Sequence, residues 1–372
     1  MKAVICMKPE AVNNHEHFEG DRSPVGNYEV LTPNNFLADV AREAKAAKKR
    51  LWIQTMYMEP GIVSARLTNI LKDAAARNLD TKLHVDWFGL VTTNGELVYS
   101  AGFPLFPIGT ASANIIRQKK QWFKTLQDSG VDVFFTNPPR GMSRILPYRG
   151  RNHMKITIVD NISYLGGLNI ADRDFTYADF MVKITDEEIT RAIAKQFSKV
   201  HDDNLEDEDI LIDDTRLFVD SGKTDDSVIL ARAIDAVQGA ESSVYHTSQF
   251  IPDGRFLKAL HDAYTRGLDV QTIVPEQNTF NRLFAIIYRM NQLSMYMKGQ
   301  RIPLLFYPTM LHAKLVIVDE KLAIFGSHNL SDKGVKMGTA EIALHSTNET
   351  LVKHLLDFYK ILTRGSTSTR RP

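Results

Sequence analysis

Two stretches of the chain follow the same order of patterns, and this duplication constrains the fold more than any other feature. Residues 36–60, FLADVAREAKAAKKRLWIQTMYMEP, match 228–252, VILARAIDAVQGAESSVYHTSQFIP: a helical pattern, then an apolar strand ending near a proline. LTNILKDAAARNLDTKLHVD, ending at Asp86, lines up with FLKALHDAYTRGLDVQTIVP, ending at Pro275. Each is an amphipathic helix, a turn at Asn78 or Gly267, and a strand. Further on, HMKITIVD at 153–160 and HAKLVIVD at 312–319 both read H-x-K-x4-D. Each is followed by a small-residue turn and an asparagine: Gly166-Gly167-Leu168-Asn169 and Gly326-Ser327-His328-Asn329. Strand, helix, strand and motif hairpin make a βαβ grammar. The expected fold is α/β, with two similar repeats, each a mostly parallel sheet flanked by helices. They pack as a pseudo-twofold bilobal unit with the active site between them.

The expected boundaries are 1–201 for the first repeat, 202–214 for an acidic linker, 215–363 for the second repeat and 364–372 for a basic tail. HDDNLEDEDILIDDT, His201 to Thr215, carries eight acidic residues and no Lys or Arg, which reads as a solvated linker. Asp86 to His153 is 67 residues and Pro275 to His312 is 37, so the first repeat holds about 30 extra residues. Residues 87–116 are rich in Gly, Pro and aromatics, with Glu96 and no other acid before α-helical patterning resumes. They read as a loop or lid that either fills a core or forms an apolar wall. A second apolar segment, 279–308, places Phe284, Ile287 and Tyr288 on helical spacing beside Arg282, Arg289, Lys298 and Arg301.

In a strand alternate residues share a face, so His153 projects with Lys155, and His312 with Lys314. The hairpin that follows each motif returns Asn169 or Asn329 toward it. One neutral imidazole can then attack a phosphorus while another protonates the leaving group, with lysines and asparagines holding the charged oxygens. A nucleophilic histidine needs an acceptor on its other ring nitrogen. Asp179 and Glu341 fit that role at comparable spacing, 179 − 153 = 26 and 341 − 312 = 29 residues downstream. Asp160 and Asp319 lie beyond a strand of about 20 Å and are assigned to structure, with Gly166, Gly167, Gly326 and Ser327 shaping the turns. H-x-K offers one metal ligand next to a repelling lysine, so neither a metal nor another cofactor is expected.

This constellation resembles the phospholipase D superfamily from about residue 28 to 363, and RGRNHMKITIVDNISYLGGLNIAD looks like the first motif of bacterial cardiolipin synthases and related phosphatidyltransferases. The resemblance implies His153 as nucleophile through a phosphohistidine, His312 as general acid and then base, and Lys155, Lys314, Asn169 and Asn329 on the phosphoryl oxygens. It pairs Asp179 with His153 and Glu341 with His312. Ser327-His328 departs from the family pattern, as does the lack of the N-terminal membrane helices that many cardiolipin synthases carry. Hydrolytic phospholipases and metal-independent nucleases of the superfamily remain alternatives, as does a degenerate binder of phosphate-bearing partners.

Substrate class rests on weaker signals. Arg140, Arg144, Arg149 and Arg151 precede the first motif, with Arg149 and Arg151 as candidate substrate ligands. Yet the formal charge is only +1, which disfavours a nucleic-acid partner. An anionic phospholipid resembling phosphatidylglycerol is the expected substrate. The apolar run Ala3–Met7 is too short for a signal-peptide core and suits an edge strand, and no 18-residue apolar stretch occurs. A single cysteine, Cys6, excludes an internal disulfide framework. The expected location is cytoplasmic, peripheral at the inner face of the cell membrane, with the oligomeric state left open.

Overall fold

The computed structural model describes residues 26–93, 96–97, 109–138, 148–277 and 282–368. The Ala3–Met7 run expected as an edge strand, Cys6, Arg140, Arg144, most of the 87–116 insertion's apolar stretch and residues 369–372 lie outside them. The first lobe runs β1 (Tyr28–Leu31), α1 (Pro33–Ala46), β2 (Arg50–Thr55), α2 (Ile62–Ala76), β3 (Asp80–Asp86) and α3 (Phe88–Val91). A minimal hairpin, β4 (Thr92–Thr93) and β5 (Glu96–Leu97), leads to α4 (Gly109–Gln127) and β6 (Asp132–Thr136). The motif strands β7 (Ile156–Val159), β8 (Ile162–Gly166) and β9 (Met181–Ile184) then precede α5 (Glu187–His201).

The second lobe begins with β10 (Glu208–Ile212), β11 (Thr215–Ser221), α6 (Val228–Gln238), β12 (Ser243–Thr247), α7 (Gly254–Thr265), β13 (Asp269–Pro275) and α8 (Arg282–Met297). It continues through β14 (Leu304–Tyr307), β15 (Leu315–Val318), β16 (Leu322–Gly326), α9 (Asp332–Lys336), β17 (Ala340–Ser346), α10 (Glu349–Arg364) and β18 (Thr367–Ser368).

The duplication is visible in the strand order. The first sheet runs β1-β9-β8-β7-β2-β3-β6, and the second contains the equivalent order β11-β17-β16-β15-β12-β13-β14, with β10 and β18 added at its edges. Both sheets are mixed rather than mostly parallel. Only β2-β3-β6 and β12-β13-β14 pair in parallel. β7 and β8, and likewise β15 and β16, follow one another through short turns, which permit only antiparallel pairing.

β7 and β15 are buried on both faces, which explains their unbroken apolar runs ITIV and LVIV. Ile156 and Ile158 join Leu315 and Ile317 in one apolar cluster shared by the two lobes and closed by α5 and α10. On the opposite faces, Val159 packs into the outer core of the first lobe, and Val316 and Val318 into that of the second. The shared cluster fixes one lobe against the other, and with it the two motifs. Helix starts follow local chemistry: Thr32 caps α1 just before Pro33, Asp186 caps α5 and Asn348 caps α10.

Two expectations need correction here. Glu208–Ile212 of the acidic linker form strand β10, paired with β11 from Glu208↔Val219 to Ile212↔Thr215. Its carboxylates meet cations outside the segment, Asp207 with Lys223 at 2.7 Å and Asp209 with Arg216 at 2.8 Å, which offsets the repulsion that would keep it solvated. The tail begins as β18 against Leu305 and Phe306. Of the two readings of 87–116, its start takes the core one, since Phe88, Leu90 and Val91 of α3 are buried.

The motif aspartates tie each hairpin to the strand beside it. Asp160, at φ 50°, accepts the backbone N–H groups of Lys48, Lys49 and Arg50 at 2.8, 2.8 and 3.0 Å. Asp319 does the same for Glu241, Ser242 and Ser243. Desolvation alone would raise the Asp319 carboxyl, yet the N–H groups of Ser243, Glu241 and Ser242 hold it down at about 2. Its folded value therefore lies below the unfolded one, so its contribution is complete above about pH 4 and is lost as pH falls through about 2. Asp319→Asn is expected to cost about 1–2 kcal/mol in urea unfolding at pH 7, after allowance for its partial exposure, and distinctly less at pH 3. An equal cost at both pH values would contradict this account.

Candidate active site

The two motifs meet at one cleft. His153, Asn169, His312, Asn329 and Glu341 all border it. Lys155 and Lys314 are buried beside them, each donating from Nζ to the backbone carbonyl of its own motif histidine, His153 or His312. The sequence therefore folds into two equivalent half-sites that face a single space.

The carboxylates cross over. Nδ1 of His153 lies 3.0 Å from Glu341 Oε2, and Nδ1 of His312 lies 2.7 Å from Asp179 Oδ2. The pairing expected within each repeat is thus replaced by pairing between repeats. Backbone bridges explain why. The His153 N–H donates to Ala340 O and the Ala340 N–H to Arg151 O, at 2.9 and 2.8 Å. On the other side the His312 N–H donates to Ala178 O, and the Ala178 N–H to Met310 O. Each histidine is therefore laced to the residue just before the other lobe's carboxylate.

The two pairs differ electrostatically. Desolvation would raise Glu341, but His153 beside it holds its carboxyl at about 2. Ser327 also donates its hydroxyl to Glu341. In the first repeat that position is Gly167, whose added Cβ would stand 2.9 Å from Asp179 Oδ1, so no hydroxyl reaches Asp179. Burial lifts Asp179 to about 6 against the pull of Lys314. Burial also draws His153 down to about 4 despite Glu341, and lowers His312 further below the ordinary imidazole range. A neutral His153 donates Nδ1–H to an ionised Glu341 and leaves the Nε2 lone pair available for attack. The His312–Asp179 pair retains a proton to higher pH than the Glu341 carboxyl does.

Burial lowers Lys155 to about 7 and Lys314 to about 8, so an incoming anion would restore their full charge. Asn169 and Asn329 are placed alike, each with a buried Oδ1 that has no partner. Buried amide oxygens without partners at matching positions mark a place prepared for a polar ligand. Gly166 and Gly326 are required by backbone approach, since an added Cβ would stand 2.4 Å from Phe180 O and 2.3 Å from Ile342 O.

The arginines divide. Arg149 does not border the cleft. Arg151 does, but its guanidinium is committed to Asp86 at 2.9 Å, Asn137 O at 3.0 Å and Arg149 O at 3.0 Å. Expected as a substrate ligand, it is first a strut that holds the segment entering the motif against β3. A buried carboxylate at Asp86 captures the fork before a ligand can.

Several cleft residues were not foreseen. Tyr57 and Gln249 are equivalent positions of the two repeats, just past the ends of β2 and β12, and both face the cleft. The signal was present, because ligands gather at the carboxyl ends of parallel strands. The Tyr57 hydroxyl donates to Asp174 Oδ1 at 2.6 Å and receives Arg173 at 3.2 Å. His328 also borders the cleft, its Nδ1 accepting the Leu330 N–H at 2.8 Å. Phe88, Tyr148, Phe250, Phe284 and Ile287 also line the cleft.

A family model described as cardiolipin synthase, PLD-like domain, matches residues 40–201 and 233–362. Cardiolipin synthase A of Pseudomonas fluorescens (strain SBW25) is 25% identical over 283 residues, covering 68% of this chain and 57% of the relative. The major cardiolipin synthase ClsA of Bacillus subtilis (strain 168) is 26% identical over 265 residues, covering 65% and 54%. The chain thus spans little more than half the length of these relatives. Among solved structures, the phosphatidylserine synthase of Haemophilus influenzae Rd KW20 superposes with a TM-score of 0.70 at 14% identity, covering 93% of this chain and 88% of that one. That likeness is one of fold.

Proposed function

We propose that this chain, which belongs to the cardiolipin synthase, phospholipase D-like family, transfers a phosphatidyl group between alcohols through a phosphohistidine. The observation that carries the reading is the pair of imidazoles at one cleft, each held at Nδ1 by a carboxylate of the opposite lobe. His153 Nε2 attacks the phosphorus of a phospholipid diester, and the bond from phosphorus to the leaving alcohol breaks. The proton held by His312 and Asp179 passes to the departing oxygen. An acceptor alcohol then gives its proton back to His312 and attacks phosphorus, and the P–N bond breaks. Lys155, Lys314, Asn169 and Asn329 hold the non-bridging oxygens as charge builds on them.

The apolar side of the cleft supports a lipid over a nucleic acid as substrate. The names of the relatives support cardiolipin as the product, which transfer between two phosphatidylglycerol molecules would give. Contact with the membrane would be peripheral. Among the described residues no helix is long and apolar enough to cross a bilayer.

Purified protein incubated with phosphatidylglycerol vesicles in chelator should release glycerol and accumulate cardiolipin, and single-stranded DNA should stay intact. Phosphatidic acid without cardiolipin would reassign the chain as a hydrolase, and cleaved DNA with untouched lipid would refute the lipid reading.

The pH dependence follows from the shifted groups. His153 must be neutral, so kcat/KM should rise with pH through about 4. It should fall between about 6 and 7, as the proton near Asp179 and then the charge of Lys155 are lost. These limbs belong to the coupled site rather than to single residues. A bound phosphodiester anion favours charged lysines, so the alkaline limb of kcat should lie above that of kcat/KM. Coincident limbs would refute the role of the buried lysines.

A further inference from the structure

Ten large apolar side chains are exposed among the described residues, and five of them sit on α8. Ile286, Met290, Leu293 and Met297 recur at intervals of four, three and four, which places them on one face of the helix with Tyr296 at its margin. Their exposures are high, 57%, 60%, 59% and 78% for the first four. The other face is turned inward: Tyr288 and Met295 are core, and Phe284, Ile287 and Asn291 border the active-site cleft. One helix therefore presents an unpartnered apolar stripe on one side and a wall of the cleft on the other. Met337, also exposed at 39%, borders the same cleft and extends apolar surface to its mouth.

Charge selects the occupant. Arg289 lies on the apolar side of the helix and is exposed, and exposed Lys298 and Arg301 follow its C-terminal end. From Gln277 to Val318 the sequence contains no Asp or Glu. Apolar side chains flanked by cations with no interspersed acids complement an anionic lipid surface, where the stripe enters the acyl boundary and the cations meet headgroups. A second copy of the chain would bring the same cations against each other.

We propose that α8 docks the protein on membranes containing anionic lipid, lying in the interface with Ile286, Met290, Leu293 and Met297 immersed, so that the cleft behind it opens onto the leaflet. This rests on the phospholipid reading of the cleft and adds the surface from which the substrate enters. Interfacial docking removes the need to extract a two-chain lipid through water.

The test is flotation of the full chain with vesicles of phosphatidylglycerol and phosphatidylcholine, against phosphatidylcholine alone. Wild type should float with the anionic vesicles. Met290→Glu with Leu293→Glu should weaken that binding at least tenfold, with an unchanged thermal unfolding curve and unchanged turnover of dihexanoyl phosphatidylglycerol below its micelle concentration. A second variant, Arg289→Ala, Lys298→Ala and Arg301→Ala, should lose roughly fivefold per charge on anionic vesicles only. Wild type that binds vesicles through this face yet turns over no phospholipid would uphold the docking and refute the transferase reading. Wild type that fails to float, or a glutamate variant that floats like wild type, would overturn the proposal. So would a glutamate variant that abolishes a wild-type dimer in sedimentation velocity while vesicle binding persists, because a second copy would then cover the face.

Discussion

His153→Ala is expected to leave no measurable phosphatidyl transfer and no covalent adduct, whereas His312→Ala, given an activated substrate, is expected to stall with the adduct in place. The two residues hold equivalent positions in the two half-sites, and the contrast comes from the bonds each would make and break. Without the His153 imidazole nothing on the attacking side can form the P–N bond, and the expected loss is about 10⁵-fold or more, ~7 kcal/mol. Without His312 the attack still occurs, but a natural alcohol must leave as an unprotonated alkoxide, which costs about 10²- to 10⁴-fold. Phosphatidyl-p-nitrophenol removes that need, since nitrophenolate leaves unaided. His312→Ala should then release one equivalent of nitrophenol in a burst and stop, because the base that activates the acceptor is missing. The trapped species should show the mass of a phosphatidyl group on the peptide containing His153, stable in alkali and labile in acid. A burst from His153→Ala, or an adduct on His312, would reverse the assignment.

Much of this was legible in the sequence because the repeat is written twice. H-x-K-x4-D placed each His with its Lys, although β7 and β15 begin only at Ile156 and Leu315, just past them, and Asn169 and Asn329 border the same cleft as the histidines. The structural role of Asp160 and Asp319 followed from distance along a strand and appears as three backbone N–H contacts each. What the spacing could not reveal was which lobe each carboxylate serves. Offsets of 26 and 29 residues are the same whether Asp179 and Glu341 act within their own repeat or across the twofold. Symmetry hides the difference, and only the Ala178 and Ala340 bridges resolve it. The strut role of Arg151 was hidden for a related reason: a basic residue before a phosphate-like site looks like a ligand alone until its partner Asp86, 65 residues earlier, is placed beside it. The acidic stretch misled because composition reports charge and not the cations of other elements that neutralise it. Mixed sheets were missed because the βαβ pattern describes only three strands of each lobe.

The crossover makes a prediction that the within-repeat pairing contradicts. Glu341→Gln is expected to slow the burst from phosphatidyl-p-nitrophenol by about 10³-fold, and Asp179→Asn by less than about tenfold. A glutamine at 341 can donate its amide N–H to His153 Nδ1, which moves the ring proton to Nε2 and removes the attacking lone pair, the wrong-tautomer effect that costs about 10⁴-fold in serine proteases. Ser327 adds to this, since it would still seek the acceptor at residue 341 and help turn the amide nitrogen toward the histidine. Asp179→Asn perturbs His312 instead, and nitrophenolate does not need the proton that His312 supplies. Its effect should appear in the second step, as slow breakdown of the adduct and loss of cardiolipin formation by about 10³-fold. If Asp179→Asn abolished the burst and Glu341→Gln spared it, the carboxylates would act within their own repeats, and the bridges that lace Ala178 and Ala340 to the opposite motifs would have no part in setting the chemistry.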